Sequence, residues 1–348
     1  MKIVINGEFY DHKITGVQRY AHEIVKQLDV LNSSDKISIE VAIPDTLVDV
    51  PKYNNIKVVK LKDCNRLFWK QIRLMNYCKK NDADCLCLCD LSPYFYYKRS
   101  INVIHDAATK AHPEFYSKKF LFYNRVMLWN KIGKLKKIIT VSEFSKDEIS
   151  KYSGVNKDSI LVAKNSWNHM ENVGYDDSIF NEYPVLKEKK YCYSLSSLSP
   201  NKNFKWIIEV AKRNPGFVFV ISGMKIGLFS DELLGEIPEN VLFTGYVSDQ
   251  QVKSLMKNCD IYLFPTLYEG FGITPLEALS AGCKIAVSDT PCMKEIYKDV
   301  PIYFDPYNYD FDVESACTKE QTSASVLLDE YLWFESAKVI FDYLVSEC

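Results

Sequence analysis

The sequence predicts an α/β protein built from two doubly wound parallel sheets. Chain length is the first observation: 348 residues exceed what one hydrophobic core usually serves, which favours two domains of roughly 150–180 residues. Second, short apolar runs alternate with helical patterns through residues 1–165, as strand–helix repeats require. Third, residues 260–289 contain a complete strand–helix–strand pattern in the second half of the chain.

Six short apolar runs are predicted to be the strands of the first sheet. They are separated by helical patterns, as expected for parallel strands that are buried on both faces. The predicted strands cover residues 2–6, 37–43, 56–60, 84–89, 101–104 and 137–141. The run at 191–195 is predicted to open the second sheet.

Periodicity also predicts the domain boundaries. Residues 171–190 are polar and lack clean periodicity, which is typical of a linker between domains. We therefore expect a first domain over 1–170, this linker, a second domain over 191–330, and a C-terminal segment over 331–348.

Composition favours a soluble enzyme of the cytoplasm. Apolar residues make up 47% and charged residues 25% of the chain, and no apolar run approaches the ~18–20 residues of a membrane span. The first residues, MKIVING, indicate a strand rather than a signal peptide. Cys85, Cys87 and Cys89 alternate along a predicted strand, which favours free buried thiols over metal ligands or disulfides, and hence a reducing compartment.

Charge is distributed unevenly along the chain, although the net charge is only −2. Residues 60–137 contain 17 lysines and arginines against 6 acidic residues, whereas residues 301–348 contain 2 against 10. The two segments are compatible with two charged faces of the protein that are exposed to solvent. The basic one is also compatible with a surface that meets anionic lipid or a phosphorylated acceptor.

The strongest functional signal is the segment 260–289, DIYLFPTLYEGFGITPLEALSAGCKIAVSD. An apolar strand ends at Pro265, a loop with two glycines follows, a Thr-Pro pair begins a helix, and a second strand follows Gly282. Ligands of such units collect at the carboxyl ends of the strands, where free backbone N–H groups favour an anion. Because this loop also carries the carboxylates of Glu269 and Glu277, we expect a ligand with both phosphates and hydroxyls, such as a sugar nucleotide.

The stretch EGFGITPLEALSAG resembles the signature of retaining glycosyltransferases of family 4, which have the GT-B fold. In that family two glutamates with seven residues between them flank the donor, and Glu269 and Glu277 have that separation. The segment GVQRY resembles bacterial mannosyl- and rhamnosyltransferase-like members of surface polysaccharide synthesis. The resemblance implies two Rossmann-like domains facing a central cleft, an acceptor-binding first domain, a sugar-nucleotide-binding second domain, and a C-terminal helix that crosses back to the first.

Further positions acquire roles through this resemblance. Gly16 would approach the donor diphosphate, His105 would contact the transferred sugar, and Lys202 would bind the diphosphate. Tyr246 and Val247 would lie along the nucleotide base. Donor binding would be completed by residues of the signature loop, namely Gly270, Phe271, Gly272, Ile273 and Thr274.

The chain departs from the family at one diphosphate ligand. Relatives carry an arginine in the loop after the strand at 191–195, whereas Ser196, Ser197 and Asn201 occupy the positions where it is expected. Lys225, after the next strand, is a candidate substitute.

The resemblance implies transfer of a hexose, with retention, from a nucleotide-diphosphate donor to a saccharide hydroxyl. Attack would occur on the face that the diphosphate leaves, with no protein nucleophile, metal or other cofactor. Glu269 would bind sugar hydroxyls and favour developing positive charge, and Glu277 would accept hydrogen bonds from the ribose. A structural role for Glu277 stays open, because Thr274-Pro-Leu-Glu277 also has the form of a capping box.

Two other classes of protein stay open. Asp82-Ala-Asp84 and Asp310-Phe-Asp312 have the Asp-x-Asp form of metal-dependent GT-A transferases, although the two-domain repetition argues against that fold. The second class is a GT-B phosphorylase or a non-catalytic binder of sugar nucleotides, because a fold alone does not decide activity.

Residues 66–80 and 117–137 combine basic with large apolar side chains at helical spacing. This pattern is typical of helices in a membrane interface, and equally of helices whose apolar side covers a sheet. Many relatives glycosylate lipid-linked intermediates at the cytoplasmic leaflet. We therefore expect a lipid-linked saccharide acceptor, an anionic membrane surface as partner, no nucleic acid, and a peripheral location at the inner leaflet of the plasma membrane.

Overall fold

Two units make up the chain in the computed structural model, which describes residues 1–34, 36–64, 68–89, 91–196, 199–223 and 236–347. Unit 1 comprises Met1–Ser166 and Leu332–Cys348, and unit 2 comprises Trp167–Tyr331. Residues 171–190, the expected linker, lie within unit 2, where two short helices, Ile179–Glu182 and Val185–Glu188, form part of them.

Seven parallel strands form the sheet of unit 1, in the order β3-β2-β1-β4-β5-β6-β7. Their bounds are Lys2–Asn6 (β1), Ser38–Pro44 (β2), Lys57–Leu61 (β3), Asp84–Cys87 (β4), Ser100–Val103 (β5), Lys137–Thr140 (β6) and Ile160–Val162 (β7). Strands β4 and β5 are buried along their whole length, including the polar residues Asp84, Ser100 and Asn102, as expected for parallel strands that are covered on both faces. The parallel sheet predicted for the first half of the chain is confirmed.

The longest helix of unit 1, Gly16–Leu31, buries an apolar stripe that includes Tyr20, Ile24 and Leu28 at four-residue spacing. It packs against the C-terminal helix Trp333–Ser346. The other α-helices of this unit are Met75–Lys80, Ala108–Ala111, Lys118–Asn124 and Glu143–Ser153. The 3₁₀ and π turns are Gly7–Asp11, Trp69–Leu74, Tyr97–Arg99, Pro113–Phe115, Arg125–Trp129, Ile132–Lys134 and Lys157–Ser159.

Six parallel strands form the sheet of unit 2, in the order β10-β9-β8-β11-β12-β13. Their bounds are Tyr191–Leu195 (β8), Val218–Ser222 (β9), Val241–Gly245 (β10), Ile261–Phe264 (β11), Ile285–Ser288 (β12) and Ile302–Phe304 (β13). Trp206 is fully buried in the core beside this sheet, and its ring stacks on Phe304 with centroids 4.1 Å apart.

The remaining helices of unit 2 connect these strands. The α-helices are Phe204–Arg213, Asp249–Asn258, Thr274–Ser280, Pro291–Tyr297, Val313–Thr318 and Ser325–Asp329. The 3₁₀ turns are Asn168–Asn172 and Pro200–Lys202. Ser248 caps the Asp249–Asn258 helix in a capping box with Gln251, as the sequence predicts.

Strand order reverses at one point in each sheet, between β1 and β4 in unit 1 and between β8 and β11 in unit 2. Ligands of doubly wound sheets bind at the carboxyl ends of the strands that flank such a point. In unit 2 the loop after β8 carries Lys202 and the loop after β11 carries Glu269. The fold therefore brings these two predicted site residues to the same edge of the sheet.

Strand β4 is shorter than the sequence predicts. It ends at Cys87, so the prediction that Cys89 shares the strand is wrong. Cys85 and Cys87 do share a face, with sulfur atoms 3.6 Å apart, and the ten cysteines in the described ranges are free thiols. Within the described part of the chain, helices fall short of the length and apolar character that crossing a bilayer requires.

Candidate functional site

The loops after β8 and β11 bind each other through their backbones. The Leu267 N–H donates to the Asn201 carbonyl at 2.7 Å. The Asn201 side-chain amide donates in return to the Tyr268 carbonyl at 3.0 Å. These contacts fix the loop of Lys202 against the loop of Glu269.

Three donors converge on one oxygen of Glu269. Its Oε1 accepts hydrogen bonds from the Lys202 ammonium, from the Thr266 hydroxyl at 2.9 Å and from the Asn201 amide at 3.3 Å. The side chains of Glu269 and Lys202 retain 14% and 19% exposure, so the pair is accessible from solvent but is largely desolvated. Sequence reasoning placed Lys202 and Glu269 on different parts of the donor, and it did not identify Thr266.

The helix that follows this loop begins at Thr274, with Ile273 as its N-cap and without a side-chain capping bond. Glu277 is therefore the fourth helical residue, one position beyond the third-residue glutamate of a capping box. The Thr274 hydroxyl instead accepts a hydrogen bond from Tyr262 at 2.8 Å. The capping-box interpretation of Glu277 is therefore wrong.

Glu277 is buried, with 7% exposure, and its Oε1 lies 3.1 Å from Nε2 of His169. Two tyrosines lie on neighbouring strands of the same unit, Tyr193 on β8 and Tyr262 on β11. Burial raises the pKa of Tyr262 well above its ordinary value, and burial likewise raises that of Tyr193; the negative charge of Glu277 contributes a smaller part of both increases. Both hydroxyls therefore stay protonated at neutral pH, and that of Tyr262 donates a hydrogen bond to Thr274.

The glycine loop is closely packed. Gly270, Phe271, Gly272 and Ile273 are all buried. Gly272 has φ +78, and a Cβ at this position would lie 2.9 Å from Met293 Cε and 3.0 Å from Phe264 Cε1. The Gly272 carbonyl accepts a hydrogen bond from the Tyr297 hydroxyl. The backbone angle therefore favours glycine, and a larger residue would also displace Met293 and Phe264.

The segment expected along the nucleotide base follows β10. Gly245 has φ +70 and turns the chain, Tyr246 is 68% exposed, and Val247 is buried. An exposed tyrosine beside a buried valine is consistent with a base-contacting surface, and this role stays a prediction. Of the positions related to the missing arginine, Asn201 contacts Glu269 as described above, whereas Ser197 and Lys225 lie outside the described residues.

Gly16 and His105 belong to unit 1. Gly16 is the first residue of the Gly16–Leu31 helix, after the N-cap Thr15. His105 lies just beyond the carboxyl end of β5, is 8% exposed, and has Nε2 2.9 Å from the Leu88 carbonyl oxygen. Its ring packs edge-on against Tyr20 with centroids 5.1 Å apart. Their expected donor contacts stay predictions.

Three carboxylates of the two Asp-x-Asp pairs have structural partners. Asp84 is buried and binds Arg99 at 2.7 Å and Lys136 at 2.5 Å, and Asp82 also pairs with Arg99. Asp312 is the N-cap of the Val313–Thr318 helix. Among the described residues there is no cluster of three or more His, Cys, Asp or Glu side chains arranged to hold a metal ion.

The fold of the two units is that of GT-B glycosyltransferases. The crystal structure of Anabaena Alr3699/HepE in complex with UDP-glucose superposes with a TM-score of 0.71, at 15% identity, over 99% of this chain and 100% of that one. The predicted GT-B fold, with a parallel doubly wound sheet in each unit, is confirmed, and the GT-A alternative is wrong because its fold differs.

The sequence of unit 2 matches a known family model. Residues 176–310 match the family model described as "Glycosyl transferases group 1". O-antigen chain mannosyltransferase B of Escherichia coli is 23% identical over 344 residues, or 89% of this chain and 88% of that protein. O-antigen chain mannosyltransferase RfbU of Salmonella typhimurium is 26% identical over 209 residues, or 58% and 56% of the two chains. Residues 176–310 thus match a group 1 glycosyltransferase domain, and the chain is homologous to O-antigen mannosyltransferases.

Proposed function

We propose that this glycosyltransferase is a retaining, metal-independent hexosyltransferase of surface polysaccharide synthesis. The donor is a nucleotide-diphosphate sugar, and the acceptor is a hydroxyl of a lipid-linked saccharide. The names of the relatives make mannose the first sugar to test. The observation that carries the proposal is the Glu269 cluster: a carboxylate and an ammonium, half-enclosed, at the point where the strand order of unit 2 reverses.

The ammonium of Lys202 supports binding of the donor diphosphate. It carries three N–H donors, so it can keep its bond to Glu269 and still donate to a phosphate oxygen. The helix Thr274–Ser280 has only seven residues. We therefore assign most of the leaving-group stabilisation to Lys202, with the N–H groups at the start of that helix contributing the rest.

In the proposed reaction the bond from the sugar C1 to the diphosphate oxygen breaks, and a bond from C1 to the acceptor oxygen forms on the same face. The acceptor proton passes to the departing phosphate oxygen, so no protein nucleophile takes part. Glu269 accepts hydrogen bonds from sugar hydroxyls and stabilises positive charge at C1. The neutral donors Thr266 and Asn201 hold the carboxylate in place for this role.

A transfer assay tests this proposal against its alternatives. The protein is incubated with nucleotide-diphosphate hexoses, GDP-mannose first, and a saccharide acceptor, with and without inorganic phosphate. The proposal expects a new glycosidic bond whose anomeric configuration, read by NMR, equals that of the donor, independent of added phosphate. Inversion of configuration would overturn retention. A phosphate-dependent reaction would indicate a phosphorylase, and binding without turnover would indicate a non-catalytic binder.

Unit 1 carries a surface that fits the proposed lipid-linked acceptor. The helix Lys118–Asn124 exposes Phe120, Phe122 and Tyr123, and Phe122 is 70% exposed. Lys118, Lys119 and Arg125 are exposed next to them in sequence. Basic residues that flank exposed aromatic rings favour the interface of an anionic membrane. We call these six residues the basic aromatic surface.

The rest of the predicted membrane stretches has a different role. Leu128 and Trp129 pack in the core, as do Trp69 and Leu74 of the earlier stretch, so the interpretation as sheet-covering helices is correct for these residues. The ammonium of Lys131 lies 3.0 Å from the Tyr94 ring centroid and donates to the Tyr94 carbonyl at 2.7 Å. Lys131 is therefore left out of the basic aromatic surface.

A further inference from the structure

His169 contacts the carboxylate that is proposed to bind the ribose. Its Nε2 lies 3.1 Å from Oε1 of Glu277, and the two side chains are 4% and 10% exposed. The residues are far apart in sequence, and His169 lies at the end of the predicted first domain, next to the predicted linker, where the sequence predicts no functional residue. Both residues lie in unit 2.

The turn that carries His169 is held by contacts that do not involve Glu277. His169 lies on the 3₁₀ turn Asn168–Asn172. The Lys253 ammonium donates to the carbonyls of Met170, at 2.7 Å, and Val173, at 2.6 Å. Just before the turn, the Trp167 indole N–H donates to the Leu328 carbonyl at 2.9 Å. The backbone therefore brings the imidazole to a fixed position beside Glu277.

A buried carboxylate needs partners that replace water. Leaving an ionised carboxylate buried without them is unfavourable, because nothing then replaces its hydration. The imidazole of His169, with Nε2 3.1 Å from Oε1, is the polar group that lies close enough to act as such a partner and to limit the orientation of the carboxylate. The second oxygen, Oε2, then offers lone pairs to a donor of hydrogen bonds, and the vicinal hydroxyls of a ribose are donors of that kind.

We propose that His169 is a positioning residue for the ribose of the donor: it holds Oε1 of Glu277 so that Oε2 accepts hydrogen bonds from the ribose hydroxyls. This inference rests on the proposed function, because it takes Glu277 as a ligand of the nucleotide. A polar stretch outside the signature loop thereby becomes part of nucleotide recognition.

The test measures how strongly the protein distinguishes ribose from a sugar without hydroxyls. UDP, GDP and ADP are titrated calorimetrically against their 2′,3′-dideoxy analogues, and the ratio of the two dissociation constants is recorded for the base that binds best. Because a hydrogen bond to a charged group is worth about 1.5–3 kcal/mol, we expect a wild-type ratio of about tenfold or more. The variants are His169→Leu, which removes the N–H; His169→Gln, which keeps a donor; and Glu277→Gln.

His169→Leu is expected to lower the ratio to about threefold or less, and His169→Gln to restore most of it, since an amide also donates. The double variant His169→Leu/Glu277→Gln should have the same ratio as Glu277→Gln alone, because both substitutions remove the same interaction with the ribose. His112→Leu is the matched control: His112 also lies beside a glutamate, Glu114, at 2.9 Å, but in unit 1. It should leave the ratio unchanged.

A purely structural role would lower the melting temperature of His169→Leu without changing the ratio, and that result overturns the inference. An unchanged ratio in Glu277→Gln overturns it as well, by removing the ribose role of Glu277. Sugar transfer is assayed on the same samples. If the protein transfers sugar but the ratio is unchanged in His169→Leu, this inference alone is refuted. If the ratio is lowered in His169→Leu but no sugar transfer is detected, this inference is supported and the proposed catalysis is refuted. Failure of the wild type to bind any of the nucleotides overturns both.

Discussion

The Lys202 ammonium donates a hydrogen bond to Oε1 of Glu269, so the predicted ligand of the diphosphate and the predicted ligand of the sugar form one ion pair. The charge of each side chain offsets the free-energy cost of desolvating the other. Both side chains are already held in place before the sugar-nucleotide donor binds. The pair also implies that the two residues do not act independently. Removing the carboxylate leaves a lysine that is more available to phosphate.

Glu269→Gln is expected to reduce transfer by about 100-fold or more, because it removes the charge that opposes the developing positive charge at C1. Affinity for the nucleoside diphosphate should be unchanged or higher, since Lys202 loses its anionic partner. Steady-state kinetics and calorimetry measure the two effects. Glu209→Gln is the control, because Glu209 pairs with Lys212 at 2.8 Å elsewhere in unit 2. A loss of nucleotide affinity that accounts for the whole loss of rate would contradict this assignment.

Gly272→Ala is expected to destabilise the protein by more than about 1 kcal/mol, since an alanine at φ +78 is strained and its Cβ meets Met293 and Phe264. Gly282→Ala separates the two causes. Gly282 has φ +82, but a Cβ added there would meet open space, so only the backbone strain applies. Urea denaturation of both variants gives the difference. Equal losses would show that the close packing around Gly272 contributes nothing.

Activity is expected to survive dialysis against EDTA, within about twofold, because Lys202 supplies the cationic charge that a metal would otherwise provide to the leaving diphosphate. The carboxylates of Asp82, Asp84 and Asp312 are engaged elsewhere, as Asp84 with Arg99 and Lys136 illustrates. A transfer assay before and after dialysis measures the effect. Complete loss of activity that returns on addition of manganese or magnesium would refute metal independence.

The protein is expected to bind vesicles that contain anionic lipid, more strongly as the anionic fraction rises and less strongly as salt is added, since the field reaches only ~8 Å at physiological ionic strength. Replacing Lys118, Lys119 and Arg125 by Gln should weaken flotation, at about 1 kcal/mol per charge, and leave nucleotide affinity intact. The control replaces the exposed Lys187, Lys189 and Lys205 of unit 2 by Gln. Equal flotation of both triple variants would reject the basic aromatic surface as the contact.

The sequence predicts the strands well because parallel strands are short, apolar and separated by helices. Predicted and observed bounds agree within about two residues, for example 137–141 against Lys137–Thr140. The loop of Glu269 was likewise predictable, since its glycines and the Thr-Pro helix start are local signals. The contact between His169 and Glu277 has no local signal. It depends on where a 3₁₀ turn folds against a helix much later in the chain, which periodicity does not encode.

The capping-box pattern shows a second limit. Thr274 and Glu277 have the spacing of a capping box, but the helix begins at Thr274, one residue earlier than that motif needs. The Thr274 hydroxyl accepts a hydrogen bond from Tyr262. The side chain of Thr274 therefore makes a tertiary contact instead of the local contact of a capping box. Sequence spacing alone does not reveal such a contact.

Unit 1 is assembled from two separate stretches of chain, because Leu332–Cys348 returns to it after unit 2. The helix Trp333–Ser346 packs on Gly16–Leu31, and the Trp333 ring meets Tyr20 with centroids 5.8 Å apart. On the ribosome, the whole of unit 2 is therefore translated before the last helix of unit 1 emerges. Until then the nascent first unit presents the apolar surface that this helix later covers, and exposed apolar surface of that kind favours aggregation.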